Sequence, residues 1–316
     1  MRVSEVLVSL CSMTTLTNTA ATELFRSAPQ RFLDVGAGEV AYRRVGTGPD
    51  VLFVHGWPVS SATFRALLPH LAEHLTCHLI DLPGAGDSRF GPDTPLTIGQ
   101  HIETVRRVVD QLELDSVALV GHDSGGMIAR HAMAGDPRLR AMGLINTEQP
   151  QGLNWRFKLF LVPRRVPGFG RVLGWAVGQR RLRRNPLLLG DAFVDSDLLD
   201  GEFDEFFLQP IHTKPERRDA ATRLLASFDT RFVHELGAVH RKIEVPVQMV
   251  WGAHDPFFPL AWAEAMVETF ADASLAVIED ASLFAHEERP REVAEAMLPV
   301  LLGEQAGQRP TLARAI

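Results

Sequence analysis

Residues 117–126 read Val-Ala-Leu-Val-Gly-His-Asp-Ser-Gly-Gly, and they leave the chain few ways to fold. A short apolar run feeds directly into a polar step flanked by glycine, and a helical pattern begins near Met127. A strand that turns straight into a helix needs small residues on both sides of its apex, because larger side chains collide across the turn. Gly121, Gly125 and Gly126 give that clearance if Asp123 is the apex. With Ser124 at the apex, the bulky His122 would fall where a small residue is required. Asp123 is therefore read as the apex, a carboxylate at the end of a strand, facing a pocket under whatever covers the strand ends.

The strand-then-helix unit recurs. Strand patterns at 51–54, 77–81, 117–120, 141–146, 247–251 and 275–279 alternate with helical patterns at 61–73, 98–112, from 125, at 260–270 and at 290–302. A hairpin over 32–35 and 40–45 precedes them. Unbroken apolar runs such as Val51-Leu52-Phe53-Val54 suit strands covered on both faces. The alternation predicts an α/β class with a mostly parallel sheet wrapped by helices. The core is placed at 31–146 and 229–302. Between them, 147–228 carries helical spacing and no strand signal, as expected of a helical cap over the C-terminal strand ends, where open α/β sheets bind ligands. Residues 1–30 read as a polar leader without order, and 303–316 as a tail.

Charge and cysteine narrow the function. A net charge of -7 over 316 residues disfavours a nucleic-acid partner, which needs a basic surface. Two cysteines, Cys11 and Cys77, give neither a disulfide framework nor a thiolate metal site, so a reducing cytoplasm is expected. No metal or organic cofactor is implied. No apolar run nears the ~20 residues of a membrane span. Within the cap, 149–190 holds Arg156, Lys158, Arg164, Arg165, Arg171, Arg180, Arg181, Arg183 and Arg184 without a single acid, and an acidic cluster follows at 191–205. Two readings stay open: the blocks pair across the cap, or the basic block meets an anionic partner or membrane surface.

Three further motifs stand in order with the turn: His55-Gly56-Trp57-Pro58, Asp81-Leu82-Pro83-Gly84-Ala85-Gly86-Asp87-Ser88, and Trp251-Gly252-Ala253-His254-Asp255. Over residues 31–302 the chain resembles the α/β-hydrolase superfamily, in the branch of haloalkane dehalogenases and epoxide hydrolases, whose elbow bears Asp. The resemblance implies an eight-stranded, mostly parallel sheet with an inserted helical cap. It makes Asp123 the nucleophile on a small apolar electrophile and the backbone N–H groups of Trp57 and Ser124 the oxyanion hole. It makes Asp255 the acid that supports a histidine, with Glu148 in the place some relatives use instead.

The histidine is where the resemblance fails. Relatives place it seven residues before an Arg-Pro step like Arg289-Pro290, and here that position is Leu283; the nearby candidate is His286, either a displaced base or a surface residue. Attack by a carboxylate leaves an ester, whose hydrolysis wants a base worth ~10²–10⁴ in rate. The cap tyrosines of epoxide hydrolases have no counterpart, since the single tyrosine is Tyr42; His212 is the substitute considered. For a halide, Trp57, Trp155 and Trp175 could offer indole N–H groups. The reading is a two-step hydrolase with doubtful turnover, or a non-hydrolytic descendant of one.

Overall fold

The computed structural model describes residues 15–303. Its centre is one eight-stranded sheet: β1 Arg31–Asp34, β2 Glu39–Val45, β3 Asp50–Val54, β4 Thr76–Asp81, β5 Val117–His122, β6 Leu139–Ile145, β7 Val247–Gly252 and β8 Ala273–Ile278. The spatial order is β1-β2-β4-β3-β5-β6-β7-β8, with the β1–β2 and β2–β4 pairings antiparallel and all the others parallel. β3, β4 and β5 are buried almost throughout, which is why they read as continuous apolar runs. The chain moves outward from β3 to β4, then returns past β3 to lay down β5 and β6. That reversal opens a crevice at the C-terminal strand ends, the usual ligand position in such sheets.

Helices cover both faces. Ile98–Gln111 and Ser124–Met133 pack against each other, and Pro290–Leu301 lies on β6 and β7. The pattern at 61–73 resolves as two short pieces, Ser61–Phe64 and Leu68–Leu71. Pro69 lacks the N–H that would continue one helix through the stretch.

The N-terminal expectation needs correction. The structure gives 15–30 an ordered helix, Asn18–Arg26, capped by the Thr17 hydroxyl, which accepts the Ala20 N–H at 3.2 Å. Ala21 and Phe25 are buried, and the Arg43 guanidinium donates to the Leu24 carbonyl. Two buried apolar side chains in a helix of 9 residues are too few to stand out as periodicity. Residues 1–14 and most of the 303–316 tail lie outside the described residues.

Between β6 and β7 the chain forms helices from Trp155–Leu161 to Pro215–Ala226, laid over the crevice. Part of the basic block pairs with the acidic one: Arg156 with Asp191, Arg180 and Arg183 with Asp200, and Arg184 with Asp197.

Candidate active site

Five neighbouring strands each deliver one residue to the crevice. Trp57 follows β3, Asp123 follows β5, Glu148 follows β6, Asp255 follows β7 and Leu283 follows β8. Asp123 has φ 51 and ψ −137, a left-handed backbone that costs a non-glycine residue on the order of 1–3 kcal/mol. The turn is held by close packing. A Cβ on Gly125 would sit 2.1 Å from the Val54 carbonyl, and one on Gly121 would sit 2.5 Å from Gly126 Cα. The clearance inferred for the elbow is thus physically required at both positions.

The carboxylate of Asp123 is almost wholly buried and faces two backbone amides. The Trp57 N–H donates to Oδ2 at 2.8 Å, the Ser124 N–H bonds the same carboxylate, and the Ser124 hydroxyl lies 3.3 Å from Oδ2. Gly56 makes the approach possible, since a Cβ there would stand 2.3 Å from Oδ2. Burial raises the Asp123 pKa, and the two amides hold it partly down.

Asp123, Ser124, Glu148, Leu283 and Trp57 line one pocket with Phe157, Phe160, Phe228 and Phe257 of the cap and the β7 loop. Its walls are otherwise apolar, which suits a small apolar ligand. Glu148 is fully buried. Burial first, and then the Asp123 charge, push its carboxyl well above the usual carboxylate range. Thr147 joins the two acids, with its hydroxyl near the Asp123 carbonyl (2.7 Å) and Glu148 Oε2 (3.1 Å). Glu148 Oε1 has no protein partner.

Asp255 is buried behind this surface. Its Oδ2 accepts from Asn146 Nδ2 at 2.7 Å, and Oδ1 accepts the N–H groups of Phe257 and Phe258. Burial pushes its pKa to about 7 against the pull of those three donors. Asn146, with φ 34, also accepts the Gly252 N–H and so ties β6 to β7. Neither Asn146 nor Thr147 was singled out from sequence. The available signal was their place directly before Glu148 at the end of a strand.

Leu283 takes a pocket-wall position beside Asp123, and His286 does not join it. The expectation of a surface histidine is also overturned, because His286 is fully buried. Its ring packs 4.4 Å from that of His122 and 5.4 Å from that of Phe64, outside the pocket lining. The Thr63 hydroxyl has one proton, directed at Glu287 Oε1, so His286 Nε2 donates to Thr63 Oγ1 at 2.7 Å. Burial holds the imidazole neutral, far below its ordinary pKa. One turn of chain after Leu283 carries the ring into the core, where Nε2 is engaged by Thr63 and Nδ1 has no hydrogen-bond partner, so neither nitrogen bonds the pocket carboxylates.

The donors considered for a leaving group also lie elsewhere. The Trp57 indole N–H is taken by the Ala221 carbonyl at 2.9 Å, while Trp155 and Trp175 are 70% and 57% exposed on the outside of the cap. Tyr42 bonds His78 in the sheet, and His212 bonds the Gly174 carbonyl.

A family model described as alpha/beta hydrolase fold matches residues 49–290. Among curated proteins, the pimeloyl-[acyl-carrier protein] methyl ester esterase of Chromobacterium violaceum is 27% identical over 75% of this chain and 88% of its own length. The matching esterase of Stenotrophomonas maltophilia is 34% identical, but the alignment spans only 32% of this chain and 36% of that protein. Among solved structures, haloalkane dehalogenase DbeA from Bradyrhizobium elkani superposes with a TM-score of 0.72 at 20% identity, over 86% of this chain and 97% of that one. Epoxide hydrolase CorEH gives 0.69 at 22%, over 85% and 98%. At such identity these two likenesses speak for the fold.

Proposed function

Because the chain belongs to the alpha/beta hydrolase fold family, we propose that it is a hydrolase in which Asp123 attacks an alkyl carbon of a small apolar electrophile and Glu148 moves the protons. The observation that carries this reading is the Trp57 N–H, 2.8 Å from Asp123 Oδ2 on a strained elbow. An amide so placed orients the attacking carboxylate and later stabilises negative charge on the same oxygen. Ester cleavage of the kind named for the curated relatives runs, at Gly-x-Ser-x-Gly elbows, through an apical serine. Here the apex is Asp123, which favours alkyl transfer over acyl transfer.

The first step forms a bond from Asp123 oxygen to carbon and breaks the carbon–oxygen bond of an epoxide. The alkoxide so released takes the proton that Glu148 holds. Esterification also removes the Asp123 charge, so the like-charge contribution to the Glu148 pKa disappears. Glu148 is then a carboxylate able to take a proton from water. Hydroxide adds to the ester carbonyl carbon, and the amides of Trp57 and Ser124 hold the oxyanion. On collapse the proton of the added hydroxyl passes to the departing oxygen, so that a diol leaves with Asp123 again a carboxylate and Glu148 again protonated. The sum is epoxide plus water to diol. A haloalkane fits less well, because none of the described residues turns a free indole N–H toward the pocket.

Intact-protein mass spectrometry after incubation with apolar epoxides and haloalkanes tests the reading. An epoxide adduct adds the whole substrate mass, whereas a haloalkane adduct adds that mass less hydrogen halide. An epoxide adduct lost in Asp123→Asn is expected. Absence of any adduct or diol across the panel would leave a non-hydrolytic descendant, the reading that the Leu283 side chain favours.

A further inference from the structure

We propose that the outer face of the cap docks on an anionic lipid bilayer. In the helix Trp155–Leu161, Trp155 and Leu159 point to solvent, and Val162 continues the same face one turn on. This i, i+4, i+7 spacing is that of a buried stripe, yet Trp155 is 70% and Val162 71% exposed. Val172 and Trp175 of the neighbouring helix Phe169–Gly178, at 61% and 57%, add a second apolar face, and Val166 lies between the two. Large apolar side chains left exposed along two successive helices mark an interaction surface.

Charge selects the occupant. Of the basic block, Arg156, Arg180, Arg183 and Arg184 are paired with acids. Lys158, Arg164, Arg165, Arg171 and Arg181 have no ion pair among the described residues, and the first four rise from the segments that carry the exposed apolar side chains. Tryptophan and aliphatic side chains beside unpaired Lys and Arg fit the headgroup boundary of an anionic membrane, where apolar area and basic charge both contribute. No helix among the described residues is long and apolar enough to cross a membrane, so the contact is peripheral.

The inner side of the same helix strengthens the assignment. Phe157 and Phe160 line the Asp123 pocket, so one helix separates that pocket from the exposed face. A lipid-dissolved ligand would meet the cap at the wall of the cavity. The docking itself does not depend on which reaction the pocket performs.

The test is flotation of the full chain with phosphatidylcholine vesicles, with and without about 30% phosphatidylglycerol, read also by tryptophan fluorescence. Binding to the anionic vesicles with a blue shift, weakened by salt, is expected. The Arg165→Gln/Arg171→Gln pair should lower partitioning roughly thirtyfold, about fivefold per residue. Trp155→Ser/Trp175→Ser should abolish the blue shift; both pairs alter exposed residues, and circular dichroism checks that the fold is kept. No binding to anionic vesicles, or binding unchanged in both variant pairs, overturns the proposal. So does a concentration-dependent dimer lost in the tryptophan pair without vesicle binding, or retention on immobilised acyl-carrier protein without it.

Discussion

His286 Nε2 donates to Thr63 Oγ1 at 2.7 Å, and that bond fixes the ring inside the core, away from Asp123. His286→Ala should therefore cost stability, about 2–4 kcal/mol by loss of packing and a buried hydrogen bond. The rate of Asp123 adduct breakdown should stay unchanged. Urea unfolding and single-turnover mass spectrometry separate the two effects, and slower breakdown with unaltered stability would make His286 the base.

Leu283→His tests the complementary position. The leucine side chain shares the pocket wall with Asp123, and His122 Nε2 donates to the Leu283 carbonyl at 3.0 Å, which holds the backbone in place. An imidazole installed there should speed adduct hydrolysis by ~10²–10⁴. Diol release measured against the unaltered chain checks it; no gain would mean that the pocket lacks a path for water.

Gly56→Ala probes the approach of the two loops. Its Cβ would overlap Asp123 Oδ2 at 2.3 Å, and neither backbone can retreat without breaking the Trp57 contact. A displacement near 1 Å costs about 10²-fold in rate, so adduct formation should fall by at least that. Stopped-time mass spectrometry reads the effect, and an unchanged rate would show that the carboxylate does not work from this position.

These contrasts show what a linear sequence conveys. The elbow was legible because its requirements are contiguous: strand, small residues and helix occupy ten positions, and the close packing at Gly121, Gly125 and Gly126 explains each glycine. The parallel sheet was legible from buried runs such as 51–54. The direction of Trp155, Trp175 and His286 was not, because facing depends on elements distant in sequence. The helix Asn18–Arg26 escaped notice for a related reason, its support coming from Arg43 and Glu205. Glu148 was placed at a strand end, but its lone Oε1 and its closeness to Asp123 emerge only when β5 and β6 pair.

Asp255→Asn should destabilise the chain by about 1–3 kcal/mol, because the new Nδ2 would face the Asn146 donor. Asn146 cannot flip freely, since its Oδ1 accepts the Gly252 N–H. The pH dependence has a definite sign. With a folded pKa raised from 3.8 to about 7, Asp255 keeps its proton in the folded chain while the unfolded chain releases it. Its contribution to stability is complete below the unfolded value and is lost as pH rises toward 7. Urea midpoints between pH 4 and 7 should fall with pH in the unaltered chain and change less in the variant; equal slopes would assign the dependence to another group.

Glu148→Gln divides the two steps of the proposed reaction. Gln is nearly isosteric and keeps a group that can hydrogen-bond Thr147, so the pocket should survive, but it neither gives nor takes a proton. Adduct should still form on Asp123, more slowly because the amide cannot protonate the alkoxide, and its breakdown should slow by ~10²–10⁴. In the variant adduct formation should increase with pH, because attack requires the Asp123 carboxylate and burial raises its pKa. In the unaltered chain the same rise should be followed by a fall as Glu148 loses the proton it gives to the alkoxide. The midpoint should stand well above ~3.9, the value of aspartate in water. In the variant the fixed neutral amide removes the Glu148 charge that competes with ionised Asp123, so this midpoint should move down. Breakdown in the unaltered chain should also rise with pH as Glu148 of the ester form loses its proton, and that rise should vanish in the variant. Rapid-quench mass spectrometry across pH 5–9 measures both limbs. Breakdown that keeps its rate and pH dependence in Glu148→Gln would place the base on some other group.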